Sequence, residues 1–201
     1  MKDCKVIKDI SLVMKWERAF KKRVKQGKFS ERQFLFFLLG LGTGLQYEEL
    51  IRIKYGDLKL KMLLTNAKGR PKEVMYIVLP SKSKRRKVRE IMFPADCKKR
   101  IEQLRQEYPD DTYLFQNKSS NMVGKPPASW SVDTVRRFLT ESAEAIGMAE
   151  ESIGAALLRK TFGYLQLKHG GWTLRDLQQY FEMRSIKLVK EYVGITGKEF
   201  D

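Results

Sequence analysis

Two residues near the C-terminus carry side chains suited to phosphoryl chemistry, Arg159 and Tyr192. A guanidinium grips a phosphate with a planar fork of donors, and a phenol oxygen attacks once its proton has somewhere to go. The two are 192 − 159 = 33 residues apart. Between them lies a break at Gly170-Gly171, and the stretch reads as three short helices: Ile153 to Phe162, Leu174 to Phe181 and Ser185 to Tyr192. An arginine early in the first helix and a tyrosine late in the last is what cleavage of a DNA strand through a phosphotyrosine bond needs. Each residue also has a plainer reading. Arg159 could be an ordinary arginine near a helix N-terminus. Tyr192 could be core, because it lies beside the stripe Ile186, Val189 and Val193.

The elements that would position this pair are legible further upstream. Val6, Ile10, Val13 and Met14 recur at helical spacing, with Trp16 and Phe20 following, and Arg18, Lys21, Lys22, Arg23 and Lys25 make the far end of that helix basic. Gly27 stops it, so residues 1–29 read as a basic helical appendage and residues 30–201 as the main domain. Ser30-Glu-Arg-Gln33 is a capping box ahead of a buried helix over Phe34 to Leu41. From Lys59 to Pro94 the period changes to two, in runs around Leu60–Leu64, Val74–Val78 and Val88–Ile91 separated by turn residues. These predict a small three-stranded antiparallel sheet. A helix follows from Pro94-Ala-Asp96 to about Tyr108, then Tyr113-Leu-Phe115, a loop over Asn117 to Trp130, and a helix capped by Ser131.

Two segments together resemble the tyrosine recombinase (phage integrase) family. The first is Thr43, Gly44, Leu45, Glu49, Leu50, Ile53, Tyr55, Asp57 and Leu58, which fits the family's Thr-Gly-Leu-Arg-x-x-Glu-Leu segment and its continuation without a gap. The second is Arg159-Lys160-Thr161-Phe162 with Tyr192 downstream. The resemblance covers the catalytic domain alone, from Ser30 to Gly194, and implies a mainly α fold with a small three-stranded antiparallel sheet. It implies that Arg159 holds the scissile phosphate, that Tyr192 attacks, and that Lys82, in the turn between the second and third strands, serves as general acid. The family uses no metal and no cofactor. The pattern is degenerate at three positions. Gln46 stands where the first arginine belongs, Ala156 where a histidine usually precedes Arg159, and Met183 where histidine or tryptophan precedes the tyrosine. Loss of one preorganised charge-stabilising donor typically costs ~10²–10³ in rate. Lys160 and Arg184 are the candidates for replacement charge.

Composition points to the same partner. Lys+Arg 40 against Asp+Glu 24 gives a formal net charge of +16, which favours a polyanion. The densest cations are Lys82, Lys84, Arg85, Arg86, Lys87 and Arg89, in or beside one hairpin turn, where a solvated surface is the alternative to DNA contact. Arg136 and Arg137 lie in the N-terminal half of their helix, where the helix dipole does not favour a cation, and together with Lys160 they complete the expected DNA-binding set. The longest apolar block, Phe34 to Leu41, falls short of the ~20 residues of a membrane-spanning helix. His169 is the single histidine, and Cys4 and Cys97 are too few for a disulfide framework or a metal site. The expectation is a cytoplasmic, nucleoid-associated protein of bacterial, phage or plasmid origin that binds duplex DNA. It would self-associate on DNA through its C-terminal segment, be impaired in strand cleavage, and act as regulator or accessory factor. The alternatives are an active recombinase or integrase of a mobile element, forming a 3′-phosphotyrosyl intermediate at Tyr192, and an RNA-binding protein suggested by charge alone.

Overall fold

A computed structural model describes residues 6–65, 70–81, 87–148, 153–154 and 156–196. Among the described residues, eight α-helices and three strands follow one another as α1 (Ile10–Lys25), α2 (Glu31–Thr43), α3 (Tyr47–Ile51), β1 (Lys59–Thr65), β2 (Arg70–Pro80), β3 (Val88–Met92), α4 (Ala95–Glu107), α5 (Val132–Glu144), α6 (Leu157–His169), α7 (Leu174–Phe181) and α8 (Ile186–Tyr192). The strands form one antiparallel sheet in the order β1-β2-β3. Leu60 pairs with Met75 and Ile77 with Ile91, so one register carries the alternating apolar residues of β2 and β3 onto a common face, where Met75, Ile77 and Ile91 are buried. The architecture is the expected one.

Helix α2 is the hub. Its sequence is apolar almost all round, which suits a helix enclosed on every side, and it touches α1, α3, α4, α5 and α6. Ser30 opens it as expected: the Ser30 hydroxyl accepts from the Gln33 N–H at 3.2 Å and the Gln33 side chain accepts from the Ser30 N–H at 2.8 Å. Gly44 closes it at φ 60°, a left-handed conformation that glycine takes without steric cost. A Cβ at Gly44 would also lie 2.2 Å from Phe162 Cδ1, so glycine is required there twice over.

The described part of the expected appendage, residues 6–29, packs into both apolar clusters. Trp16 and Phe20 of α1 are fully buried, and their rings lie 4.8 Å and 5.4 Å from the ring of Phe37. Trp16 Nε1 donates to Ser142 Oγ at 2.9 Å, tying α1 to α5. The apolar residues read at helical spacing divide between two faces of α1. Ile10 and Met14 are 42% and 46% exposed, and the face that packs is Val13, Trp16 and Phe20. The far end of α1 is basic as read, although Arg23 is engaged, donating to the Glu141 carbonyl at 2.6 Å.

A second, smaller apolar cluster joins the last three helices through Phe162, Tyr164, Leu177, Phe181, Val189, Val193 and Ile195. Helix α6 bridges both clusters, with Leu157 and Leu158 in the large one and Phe162 and Tyr164 in the small one. The segment Val6–Lys8 crosses over from the opposite end of the chain. The Ile7 N–H donates to Thr161 Oγ1 at 3.3 Å, and Val6 packs so closely on Gly194, at φ 68°, that a Cβ there would lie 2.9 Å from it.

The largest electrostatic commitment in the large cluster is Asp111. Its carboxylate accepts from Arg32 Nη2 at 2.7 Å and from Gln116 Nε2 at 3.1 Å, and it also pairs with Lys118. Both members of the Arg32–Asp111 pair are buried. Removing one partner of such a pair strands the other's charge. Asp111→Ala should therefore lower unfolding stability by about 3 kcal/mol, read as a shift in the midpoint of denaturant unfolding.

Candidate active site and nucleic-acid interface

Arg159 projects from the first turn of α6 and is 5% exposed. Its Nη1 donates to the Gly44 carbonyl at 2.6 Å, and its Nη2 donates to the Phe181 carbonyl at 3.3 Å. The guanidinium lies over the Phe181 ring, 3.9 Å from the centroid. One cation thus joins the α2–α3 turn, the start of α6 and the end of α7. A guanidinium has five N–H donors, and these two bonds leave three for a ligand. Burial pushes its pKa below the ordinary value; Tyr192 and Glu49 oppose that shift and Arg89 adds to it.

Tyr192, in the last turn of α8, is half-buried. Its ring meets the Phe181 ring edge-on at 5.8 Å, and Lys160 Nζ sits 5.4 Å from its centroid. The stripe that offered a plainer reading divides: Val189 and Val193 are fully buried, Ile186 is exposed, and Tyr192 lies at the margin of the cluster facing the arginine. The structure therefore brings Arg159, Lys160 and Tyr192 together. Lys160 is itself buried, so it belongs with this cluster and not with an open cationic surface.

The three degenerate positions lie around the same centre. Gln46 precedes α3 and is exposed, and its N–H donates to Glu49 Oε2 at 2.9 Å. Ala156 precedes α6 and gives that helix no side-chain cap. Met183, in the α7–α8 turn, is partly buried, and its carbonyl accepts from Gln178 Nε2 at 3.3 Å. Arg184 beside it is exposed.

Of the expected interface cations, Lys82, Lys84, Arg85 and Arg86 lie outside the described residues. The serine preceding them, Ser81, donates to the Glu182 carboxylate, which sets the start of that hairpin turn against the α7–α8 corner. Glu182 takes φ 55°, the single described non-glycine residue at positive φ. Lys87 is exposed. Arg89 differs from the others: it points inward and pairs with Glu49. Arg136 and Arg137 are exposed on α5, and Arg136 has an i,i+3 partner in Asp133 at 3.2 Å.

Three participants were not singled out from the sequence. Glu49 was noticed as a motif residue but given no role; its carboxylate holds both the Gln46 N–H and Arg89. Tyr180 donates from its hydroxyl to the Thr43 carbonyl at 2.6 Å, and burial pushes its pKa up to about 12. Phe181 supplies both a carbonyl and a ring face to Arg159. A tyrosine and a phenylalanine on an amphipathic helix carry no sequence signal beyond core packing.

The phage integrase family pattern matches residues 16–199. The chain belongs to the phage integrase family. Solved structures of similar fold include a XerH site-specific recombinase bound to difH substrate in a pre-cleavage complex, at 20% identity and a TM-score of 0.66, with 99% of this chain and 52% of that one covered. The XerA recombinase matches at 16% identity and a TM-score of 0.63, over 96% of this chain and 60% of that one. The Tn1549 transposon integrase in complex with circular intermediate DNA matches at 14% identity and a TM-score of 0.60, over 92% and 62%. This family member thus spans roughly half to three fifths of the length of those chains. No curated protein gives a sequence match. Among the described residues, no helix is long and apolar enough to cross a membrane, and no group of three or more His, Cys, Asp or Glu is placed to hold a metal ion.

The two carbonyl bonds of Arg159 make it a structural tie as well as a candidate phosphate ligand. A lysine can reach one such acceptor and cannot fork between two. Arg159→Lys should therefore lower unfolding stability by about 1–3 kcal/mol, measured by thermal or denaturant melting, besides any loss of ligand binding.

Proposed function

We propose that this phage integrase family member binds duplex DNA, grips a backbone phosphate with Arg159, and carries out strand cleavage poorly or not at all, acting as a regulator or accessory factor. The observation that carries this reading is the contrast within one site. Arg159 and Tyr192 keep a shared location, while Gln46, Ala156 and Met183 around them offer an amide, nothing, and a weak sulfur acceptor. Phosphoryl transfer depends on charge neutralisation at the non-bridging oxygens and on a proton donor for the leaving group. A site short of these donors retains binding and loses rate. The net charge of +16 and the exposed Lys87, Arg136 and Arg137 supply the long-range attraction. The neighbours described in complex with DNA support duplex DNA as the partner. Lys82 as general acid, the contacts of Lys84, Arg85 and Arg86 with DNA, self-association through the C-terminal segment, and a nucleoid location in a bacterial, phage or plasmid setting all belong to this proposal.

A second reading, an active recombinase or integrase forming a 3′-phosphotyrosyl intermediate at Tyr192, is favoured by one observation. Lys160 brings a cation beside the Tyr192 ring.

Two measurements test the proposal. In the first, affinity for duplex DNA should fall steeply with salt, log K dropping by ~0.9 per phosphate neutralised in log salt. Replacing Arg85, Arg86 and Lys87 with alanine should lower both affinity and slope, and a salt-independent affinity would sink the DNA reading. In the second, a site is selected from a random duplex library, nicked and end-labelled. The wild-type chain should yield little or no covalent product, and Tyr192→Phe should bind as well as wild type. A covalent product that Tyr192→Phe abolishes would replace the first reading with the second.

A further inference from the structure

The family pattern places a first guanidinium at Gln46, and this chain has none there. A second guanidinium nevertheless reaches the same turn from another element. Building on the DNA-binding reading above, we infer that Arg89 of β3 is a phosphate-binding residue of this site and forms with Arg159 a pair of guanidiniums for one phosphodiester.

The anchoring of the two arginines carries the inference. Arg159 donates to the carbonyl of Gly44, and Arg89 pairs through Nη2 with the carboxylate of Glu49. Arg159 is therefore fixed to the turn that leads from α2 into α3, and Arg89 to the first turn of α3 just beyond it. The other Glu49 oxygen accepts the Gln46 N–H, so the carboxylate that holds Arg89 also shapes the backbone where the family's arginine would start. The Arg89 side chain is 11% exposed and that of Glu49 is 20% exposed, so the pair is set into the molecule and not out on its surface. Arg89 Nε is enclosed and has no hydrogen-bond acceptor among the described residues. Buried N–H groups are nearly always satisfied, and this donor is unspent among the described residues, as is Arg32 Nε in its pair with Asp111. The two guanidiniums sense one another, since Arg89 depresses the pKa of Arg159 and both act on Tyr180. Two like charges converging on one spot are relieved by an anion. Glu49 is the counter-charge that Arg89 holds in this structure, and a phosphodiester would share or displace it.

The competing cations fit less well. Lys160 stands over the Tyr192 ring, and Arg184 is exposed on the α7–α8 turn. The bland reading of Arg89 is a strut that joins β3 to α3.

The test uses the full chain, nitrogen-15 labelled and titrated with dimethyl phosphate as a phosphodiester monoanion. The Nε–Hε signals of Arg89 and Arg159 are followed by NMR and assigned with Arg89→Lys and Arg159→Lys. Both signals should shift along one binding curve. Arg89→Lys keeps a cation for Glu49 but loses the fork, and should weaken binding about tenfold. Glu49→Gln keeps an acceptor for the Gln46 N–H and removes the competing charge, and should tighten binding. If Arg159 shifts and Arg89 does not, or if Glu49→Gln weakens binding, Arg89 is a strut and the inference fails. The two proposals fail separately. Duplex DNA that does not bind, with both arginines still responding to dimethyl phosphate, removes the DNA reading alone. Duplex DNA that binds, with Arg159 responding and Arg89 silent, removes the Arg89 assignment alone.

Discussion

A guanidinium kept almost wholly out of water sets the terms for the C-terminal half of this protein. Desolvating a positive charge is expensive unless oriented dipoles replace the lost water. Here the replacement comes from two main-chain carbonyls and an aromatic face. Those groups belong to residues far apart in sequence, Gly44 and Phe181, so the solvation of one side chain requires the α2–α3 turn, α6 and the end of α7 to converge. The neighbouring Tyr180 hydroxyl on the Thr43 carbonyl fastens the same turn to α7 a second time. Gly44 is where geometry and charge meet, because its left-handed backbone turns the carbonyl toward Arg159 while leaving room for Phe162.

Around that fixed point, the scaffold rests on groups other than the side chains at positions 46, 156 and 183. Helices α7 and α8, the latter presenting Tyr192, are capped in the ordinary way, whereas α6 has no side-chain cap. Thr173 and Asp176 exchange hydrogen bonds at the start of α7, and Ser185 accepts from the Leu188 N–H at the start of α8. The small apolar cluster behind them is closed. None of this depends on what occupies position 46, 156 or 183. A backbone held by capping, packing and one buried cation keeps its shape when neighbouring donors are replaced by an amide, a methyl group and a thioether. Shape alone therefore does not report catalytic strength in this fold.

Much of the architecture was legible from local chemistry. The period-two runs gave three strands, the Ser30 box gave the start of α2, and the Gly170-Gly171 break separated α6 from α7. The motif residues singled out Arg159 and Tyr192, whose side chains both pack on Phe181. The parts that were not legible rest on partners distant in sequence. Ile10 and Met14 satisfied helical spacing as well as Trp16 did, and the positions of α2, through Phe37, and α5, through Ser142, decide which face of α1 is buried. Arg89 read as one more cation in a basic hairpin, because pattern alone does not tell which of several arginines on a strand turns toward a glutamate forty residues earlier. The convergence of Phe181 and Gly44 on Arg159 was hidden for the same reason.

The crossing of Val6–Lys8 over α6 and α8 has a consequence for the order in which the molecule is completed. The Ile7 N–H and its acceptor on Thr161 are 154 residues apart, and Val6 rests on Gly194, further along still. Contacts of such long separation form after the loop between them has lost its freedom, and they slow folding accordingly. On a ribosome adding ~5–20 residues per second, the early segment waits on the order of ten seconds or more before its docking surface exists. The helix bearing Tyr192 is thus secured by a segment made long before it, and the large aromatic cluster around α2 can assemble before the corner that holds Arg159 and Tyr192 is in place.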